Sequence, residues 1–154
     1  MREILFRGKR LDNGEWVEGY LLKTQGSTYI TEPDWWDDDL FISPKNITHA
    51  VNPSTVGQFT GLLDKNGKRI FEGDVVEYND GYDYIDGEVV FEFGAFGIGS
   101  CDVIDISTAC CDNFANLWQL YWDQEAMDAP ELYYCKVIGN IHDNPELLEV
   151  TPDE

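Results

Sequence analysis

Basic residues are almost missing from the second half of this chain. Nine of the ten Lys and Arg fall within residues 1–70, against ten acids, a net of −1. Residues 71–154 hold twenty acids and the single base Lys136, a net of −19, and the whole chain carries −20. A half so charged repels phosphate backbones, which argues against direct binding of DNA or RNA there. The charge has two readings. It is either a solvated surface that keeps the chain soluble, or a face shaped to meet a basic partner as nucleic acid would.

Histidine is scarce as well, with only His49 and His142, and neither lies in a motif. The sequence lacks a GxSxG elbow, an HExxH pair and a Walker A loop. Carboxylates are so abundant that no two stand out as an acid–base pair. Long apolar runs are missing too: none approaches the roughly 20 residues that cross a bilayer. Ile4-Leu5-Phe6, set among Arg2, Arg7, Lys9 and Arg10, is too short for a secretory core. A soluble, cytoplasmic protein with no membrane contact is expected. The four cysteines, Cys101, Cys110, Cys111 and Cys135, show no CxxC spacing, so free buried thiols are expected rather than disulfides. No metal or cofactor site is expected, and no catalytic residue can be named.

What is present is core-forming material. Aromatics make up 14% and hydrophobic residues 43% of the chain, which excludes wholesale disorder. The length of 154 residues suits one domain, or two subdomains sharing a core (about 1–52 and 53–148), with 149–154 as a frayed tail. A chain this long buries roughly 68–70% of its unfolded surface and folds without a metal or disulfide.

The organising stretch is Thr55–Tyr78. Asp64-Lys65-Asn66-Gly67 predicts a tight hairpin turn of type I′, because Asn and Gly accept positive φ. Glu72-Gly73-Asp74 predicts a second turn, and Val75-Val76-Glu77-Tyr78 a strand of branched and aromatic residues. After an acidic loop, Asn79 to Gly87, the segment Glu88–Phe93 alternates. Val89, Phe91 and Phe93 share one face and Glu88, Val90 and Glu92 the other. The loop lacks the acid order of an EF-hand. Gly94–Ser100 is glycine-rich without a phosphate-binding Lys, and bulges or turns explain it.

Towards the start, Ile4–Gly8, the turn Asp12-Asn13-Gly14 and Glu15–Leu22 predict a hairpin. Its second arm carries Trp16, Glu18 and Tyr20 on one side and Val17 and Leu21 on the other. Aromatic and branched residues on both sides predict a strand covered on both faces, weakened by Gly19. Tyr29-Ile30-Thr31 is a third strand candidate, and Phe41-Ile42 or Ile47–Val51 a fourth. Between them Trp35 and Trp36 precede Asp37, Asp38 and Asp39. Two adjacent tryptophans in an acidic loop are candidates for a partner or oligomer contact, a stacking platform for a ring, or a core plug.

Residues 112–126 are the helix candidate. Phe114, Leu117, Trp118 and Tyr121 follow i, i+3, i+4, i+7 spacing, with Asp112 as cap. A strand through Leu117–Trp122 is the alternative. Leu132–Ile141 predicts a strand, and Asn144-Pro145 a final turn with Pro at its first position.

Three segments together carry a family resemblance. They are Met1–Gly8 with Gly14–Tyr20, Thr55–Leu62 with Asp64–Gly67 and Ile70–Val76, and Val137–Ile141 with Asn144–Leu148. The chain resembles the YopX family, small proteins found largely in bacteriophages and prophages. The resemblance implies a mainly β fold, with a small antiparallel SH3-like barrel carrying the second segment, a further β meander or hairpin, and a bacterial host cell. It brings no catalytic residues, cofactor or substrate. The motif residues Gly61, Gly67, Gly73, Asp74, Gly139 and Asn140 mark turns and close packing, and Val75, Val76, Val137 and Ile138 mark core.

Composition, motifs and resemblance together favour a non-enzymatic binding or assembly protein, expected to form a homo-oligomer. The alternative is an acidic decoy that binds a basic host protein handling DNA. A third reading, a metal-dependent hydrolase, predicts a melting temperature that responds to divalent cations.

Overall fold

In a computed structural model, the described residues are 3–32, 48–82, 84–92, 94–100, 114–124 and 130–148. The chain is mainly β, as expected, with eleven described strands and one short α-helix. It divides into two compact units, 1–59 and 60–154, and the division falls inside a strand, β5 (Gly57–Leu63).

The first unit holds β1 (Phe6–Lys9), β2 (Trp16–Lys23), β3 (Thr28–Thr31) and β4 (Thr48–Ala50), paired in the order β4-β3-β2-β1 with the first residues of β5 beyond β1. The predicted first hairpin forms, with Lys9 opposite Trp16 and Phe6 opposite Gly19. Val17, Ile30 and Val51 make its core, flanked by Phe6, Leu21 and Val56. One expectation about β2 is overturned. The strand is not covered on both faces: Val17 and Gly19 are buried while Glu18 and Tyr20 are exposed. Trp16 lies instead under two cations, the Arg7 guanidinium 4.7 Å and the Lys9 ammonium 5.4 Å from its ring centroid. On that face Trp16 is met by cations rather than by a second layer, and Tyr20 is open to solvent. Of the two candidates for a fourth strand, the second is observed; Phe41-Ile42 lies outside the described residues.

In the second unit the remainder of β5 leads on to β6 (Arg69–Phe71). A five-stranded antiparallel sheet runs in the order β10-β9-β8-β7-β11. Its strands are β7 (Asp74–Asn79), β8 (Tyr84–Glu92), β9 (Ala95–Ser100), β10 (Phe114–Asn116) and β11 (Cys135–Asn140). Helix α1 (Leu117–Asp123) comes directly after β10. The core gathers Leu62, Ile70, Val76, Tyr78, Ile85, Val89, Ile98, Leu117, Leu132, Cys135 and Val137. Both strand orders are those of open sheets, and no pairing among the described residues closes one into the barrel the resemblance implied.

Local geometry departs from the sequence pattern at several points. The Asn-Gly turn is a three-residue loop, not a two-residue type I′ turn. Gly67 N–H donates to Asp64 O (3.0 Å), Asp64 N–H to Lys68 O (2.8 Å), and Gly67 takes φ 79°. That is the geometry of a turn ending in a left-handed glycine, with an acid at its first position. The acidic loop is shorter than expected, because β8 begins at Tyr84 and pairs Asp86 with Glu77. Phe91 is exposed rather than part of the buried face, and it packs edge-on against Phe96 at 4.9 Å. Gly94 turns with φ 77°, but Ala95–Ser100 is a regular strand. A β-carbon on Gly97 would lie 2.2 Å from the Phe114 ring, so the glycine makes room for that ring. Phe114 thus belongs to a strand, and the helix starts three residues later, at Leu117. Ile138 is exposed rather than core, because it alternates with buried Cys135 and Val137 along β11; the register with β7 shifts just there, between Val137 and Gly139. The final turn forms as Pro145–Leu148, with Leu147 N–H donating to Asn144 O at 3.1 Å.

Candidate functional site

The motif residues build fold. Gly61 and Gly73 take φ 88° and 86°, a region L side chains avoid. Asp74 is buried and its Oδ2 accepts from Phe71 N–H at 2.8 Å, closing the turn around Gly73. Asn140 Oδ1 accepts from His142 N–H (3.0 Å) and Asp143 N–H (2.9 Å), and so shapes the exit from β11. Gly139 is needed for closeness: a β-carbon there would lie 2.6 Å from Asn144 Oδ1 and 2.7 Å from Leu147 Cδ1.

Asp64 is the acid that the sequence did not single out. It is 1% exposed. Its Oδ1 accepts from Asn66 N–H and Lys68 N–H, both at 2.9 Å, and its Oδ2 accepts from Val137 N–H at 3.0 Å. One carboxylate therefore shapes the turn and fastens it to a strand 73 residues away. All three of these donors are backbone, which is a structural use of an acid and no preparation for proton transfer.

Cys135 is buried beside it. Burial, then the Asp64 and Asp74 charges, push its thiol up to about 12. At neutral pH the sulfur is a thiol, neither nucleophile nor metal ligand. Because the folded value lies above the unfolded one, this group's contribution to stability is complete below the usual thiol range. It is lost as the pH rises from about 9 towards 12. Peptide-resolved iodoacetamide labelling at pH 8.5 should leave Cys135 unmodified in native protein and modify it in urea; rapid native labelling would contradict this burial.

Acids line the other side of β7 and β8. Tyr84 Oη donates to Glu77 Oε2 at 3.1 Å. Its phenol is raised by burial, then by Glu77 and Asp86, and Glu88 is raised by burial and then by Glu92. Among the described residues no group of three or more His, Cys, Asp or Glu is placed to hold a metal ion. The described residues include no helix long and apolar enough to cross a membrane.

Helix α1 differs in kind. Asn116 caps it, Oδ1 accepting from Trp118 N–H (2.9 Å) and Gln119 N–H (3.3 Å). Leu117 is buried and anchors the first turn to β9 and β10. Just past the helix, Gln124 is buried: Nε2 donates to Glu131 O (2.6 Å) and Oε1 accepts from Tyr133 N–H (3.0 Å). Between these two anchors Trp118 and Trp122 stand 56% and 52% exposed. Trp118 stacks on Tyr121 at 5.4 Å and 21°, and meets Trp122 at 5.5 Å and 85°. Beside them Gln119 Nε2 donates to Asp123 Oδ1 at 2.9 Å. The spacing grouped Leu117, Trp118 and Tyr121; Leu117 is buried and Tyr121, with Leu120, packs against the core, while Trp118 at the edge of that face is turned to solvent. The sequence's other tryptophan pair, Trp35 and Trp36, with Asp37, Asp38 and Asp39, lies outside the described residues.

These features define a small, mostly antiparallel β protein whose recurrent glycines and buried acids are spent on turns, and which holds an aromatic helix towards solvent. The family model of the YopX protein matches residues 5–149, and the chain belongs to the YopX family. Among solved structures the chain is similar to protein EF1440 from Enterococcus faecalis. The two share 21% identity over 97% of this chain and 100% of that one, with a TM-score of 0.49. No curated protein matches the chain.

Proposed function

We propose that this YopX protein is a non-enzymatic binding or assembly protein of phage or prophage origin, working in the cytoplasm of a bacterial host, and that α1 is its contact face. The observation that supports this reading is the half-exposed pair Trp118 and Trp122 on a helix tethered on both sides. Exposed indoles grouped on a fixed element are the kind of surface that partners cover, and Trp dominates interface energetics. A second copy of the chain is one occupant, which makes the protein a homo-oligomer. A basic host protein that handles DNA is the other, favoured by the −19 carried by residues 71–154.

Sedimentation velocity on the wild type and on the Trp118→Ala/Trp122→Ala variant separates them. Self-association is expected to strengthen with salt, because copies carrying −20 repel one another, and to vanish in the variant. A wild type that stays monomeric at every salt and concentration removes the homo-oligomer.

A further inference from the structure

The occupant of α1 can be narrowed by chemistry, an inference that rests on the reading of α1 as a contact face. Two i, i+4 stripes lie side by side on the helix. One carries the indoles of Trp118 and Trp122, set at 85° to each other, with Tyr121 stacked on the first. The other carries Gln119 and Asp123, and the bond between them holds the Asp123 carboxylate by one oxygen, Oδ1. Neither α1 nor its neighbours β9 and β10 contain a basic residue. Residues 71–154 offer one base to twenty acids.

Against the same face of a second copy this arrangement is repulsive. For a cation it is attractive twice over, through the aromatic faces and through the field of the acids. Arginine suits it better than lysine, since a planar guanidinium stacks on indole while donating to a carboxylate. The same chain already uses that pairing internally, where the Arg7 guanidinium lies 4.7 Å over Trp16.

We propose that the Trp118–Trp122 face of α1, with Asp123 at its flank, is a docking surface for an arginine-rich segment of a partner protein. Guanidinium groups stack on the indoles and pair with the carboxylate, and the acidic half steers the approach.

The test is calorimetric titration of the full chain with a short all-arginine peptide and with its all-lysine counterpart of equal length. It is run on the wild type, on Trp118→Ala/Trp122→Ala, which keeps the net charge, and on Asp123→Asn. The arginine peptide is expected to bind the wild type about tenfold more tightly than the lysine peptide, and to lose about tenfold on the tryptophan variant. It should lose about threefold on Asp123→Asn, with affinity falling as salt rises. Equal binding to the wild type and the tryptophan variant overturns the proposal, because attraction is then diffuse. No peptide binding, with self-association that the variant abolishes, also overturns it but leaves α1 as a contact face. Neither binding nor association removes both readings.

Discussion

Asp64→Ala should destabilise the protein by about 2–4 kcal/mol. The substitution strips the acceptor from three backbone N–H groups, those of Asn66, Lys68 and Val137. The Val137 bond is buried, while those of Asn66 and Lys68 are part-buried on an exposed turn that water can reach. A buried donor left without a partner costs roughly 1–3 kcal/mol, and a domain of ordinary stability has only about 5–15 kcal/mol to lose. Asp64→Asn separates the two jobs of the carboxylate. Its amide oxygen still serves the turn, but its NH2 then faces the Val137 N–H, donor against donor, so a loss of about 1–3 kcal/mol is expected. Urea denaturation followed by tryptophan fluorescence ranks the variants. The expected order of midpoints is wild type, Asp64→Asn, Asp64→Ala, with exposed Glu146→Ala indistinguishable from wild type. A midpoint for Asp64→Ala equal to that of Glu146→Ala would contradict the role assigned to Asp64.

Gly19→Ala is expected to cost about 3 kcal/mol or more. A β-carbon at this position would lie 2.1 Å from Thr31 O, 2.7 Å from its carbonyl carbon and 3.0 Å from Glu32 Cα. These are backbone atoms of the neighbouring strand β3 and the residue just beyond it, and Tyr20 next door pairs with Thr31. No side chain can swing aside, so β2 and β3 must part, and overpacking that moves backbone exceeds the usual 1–3 kcal/mol of a crowded core. Gly139→Ala supplies the contrast. Its β-carbon would meet side chains rather than backbone: the Leu147 end can yield, and Asn144 must shift at the expense of its bond from Asn140 N–H, so a cost of about 1–2 kcal/mol is expected. Hydrogen exchange checks the location: the amides of β2 and β3 should lose protection in Gly19→Ala, while those of β11 should not. Equal melting temperatures for Gly19→Ala and Gly139→Ala would refute the distinction.

Gly19 also shows where sequence reading succeeds and where it stops. A glycine inside a strand pattern signals that something approaches closely or that the strand is weak, and only the position of Thr31 decides between them. Turn positions were legible. Turns at Gly14, Gly67 and Gly73 lie where Asn, Asp and Gly cluster, and the strands between them track branched and aromatic runs. Long-range chemistry was not. Asp64 was readable as a turn residue, but nothing near it in sequence announces Val137. The register shift between Val137 and Gly139 arises from pairing with β7, so it is absent from the local pattern.

The helix is the instructive case. Its i, i+3, i+4 spacing was visible, but periodicity says that residues share a face and not which face is buried. The spacing groups Trp118 with Leu117, while the only fully buried side chain of α1 is Leu117. A better signal for the start was also present. Asn116 with Gln119 three residues later is the pattern of a helix beginning at Leu117, whereas Asp112 lies outside the described residues.

If the indoles of α1 serve a partner and not the fold, the melting curves of two variants must differ. Trp118→Ala/Trp122→Ala removes two large side chains that are half exposed. It should melt within about 3 °C of wild type, as surface substitutions do. Leu117→Ala removes one smaller side chain from the core. It should lower the midpoint by about 8 °C or more, from a loss of roughly 2–5 kcal/mol. A tryptophan variant that melts as low as Leu117→Ala would show that the aromatic face holds the protein together, and the proposed binding surface would have no basis.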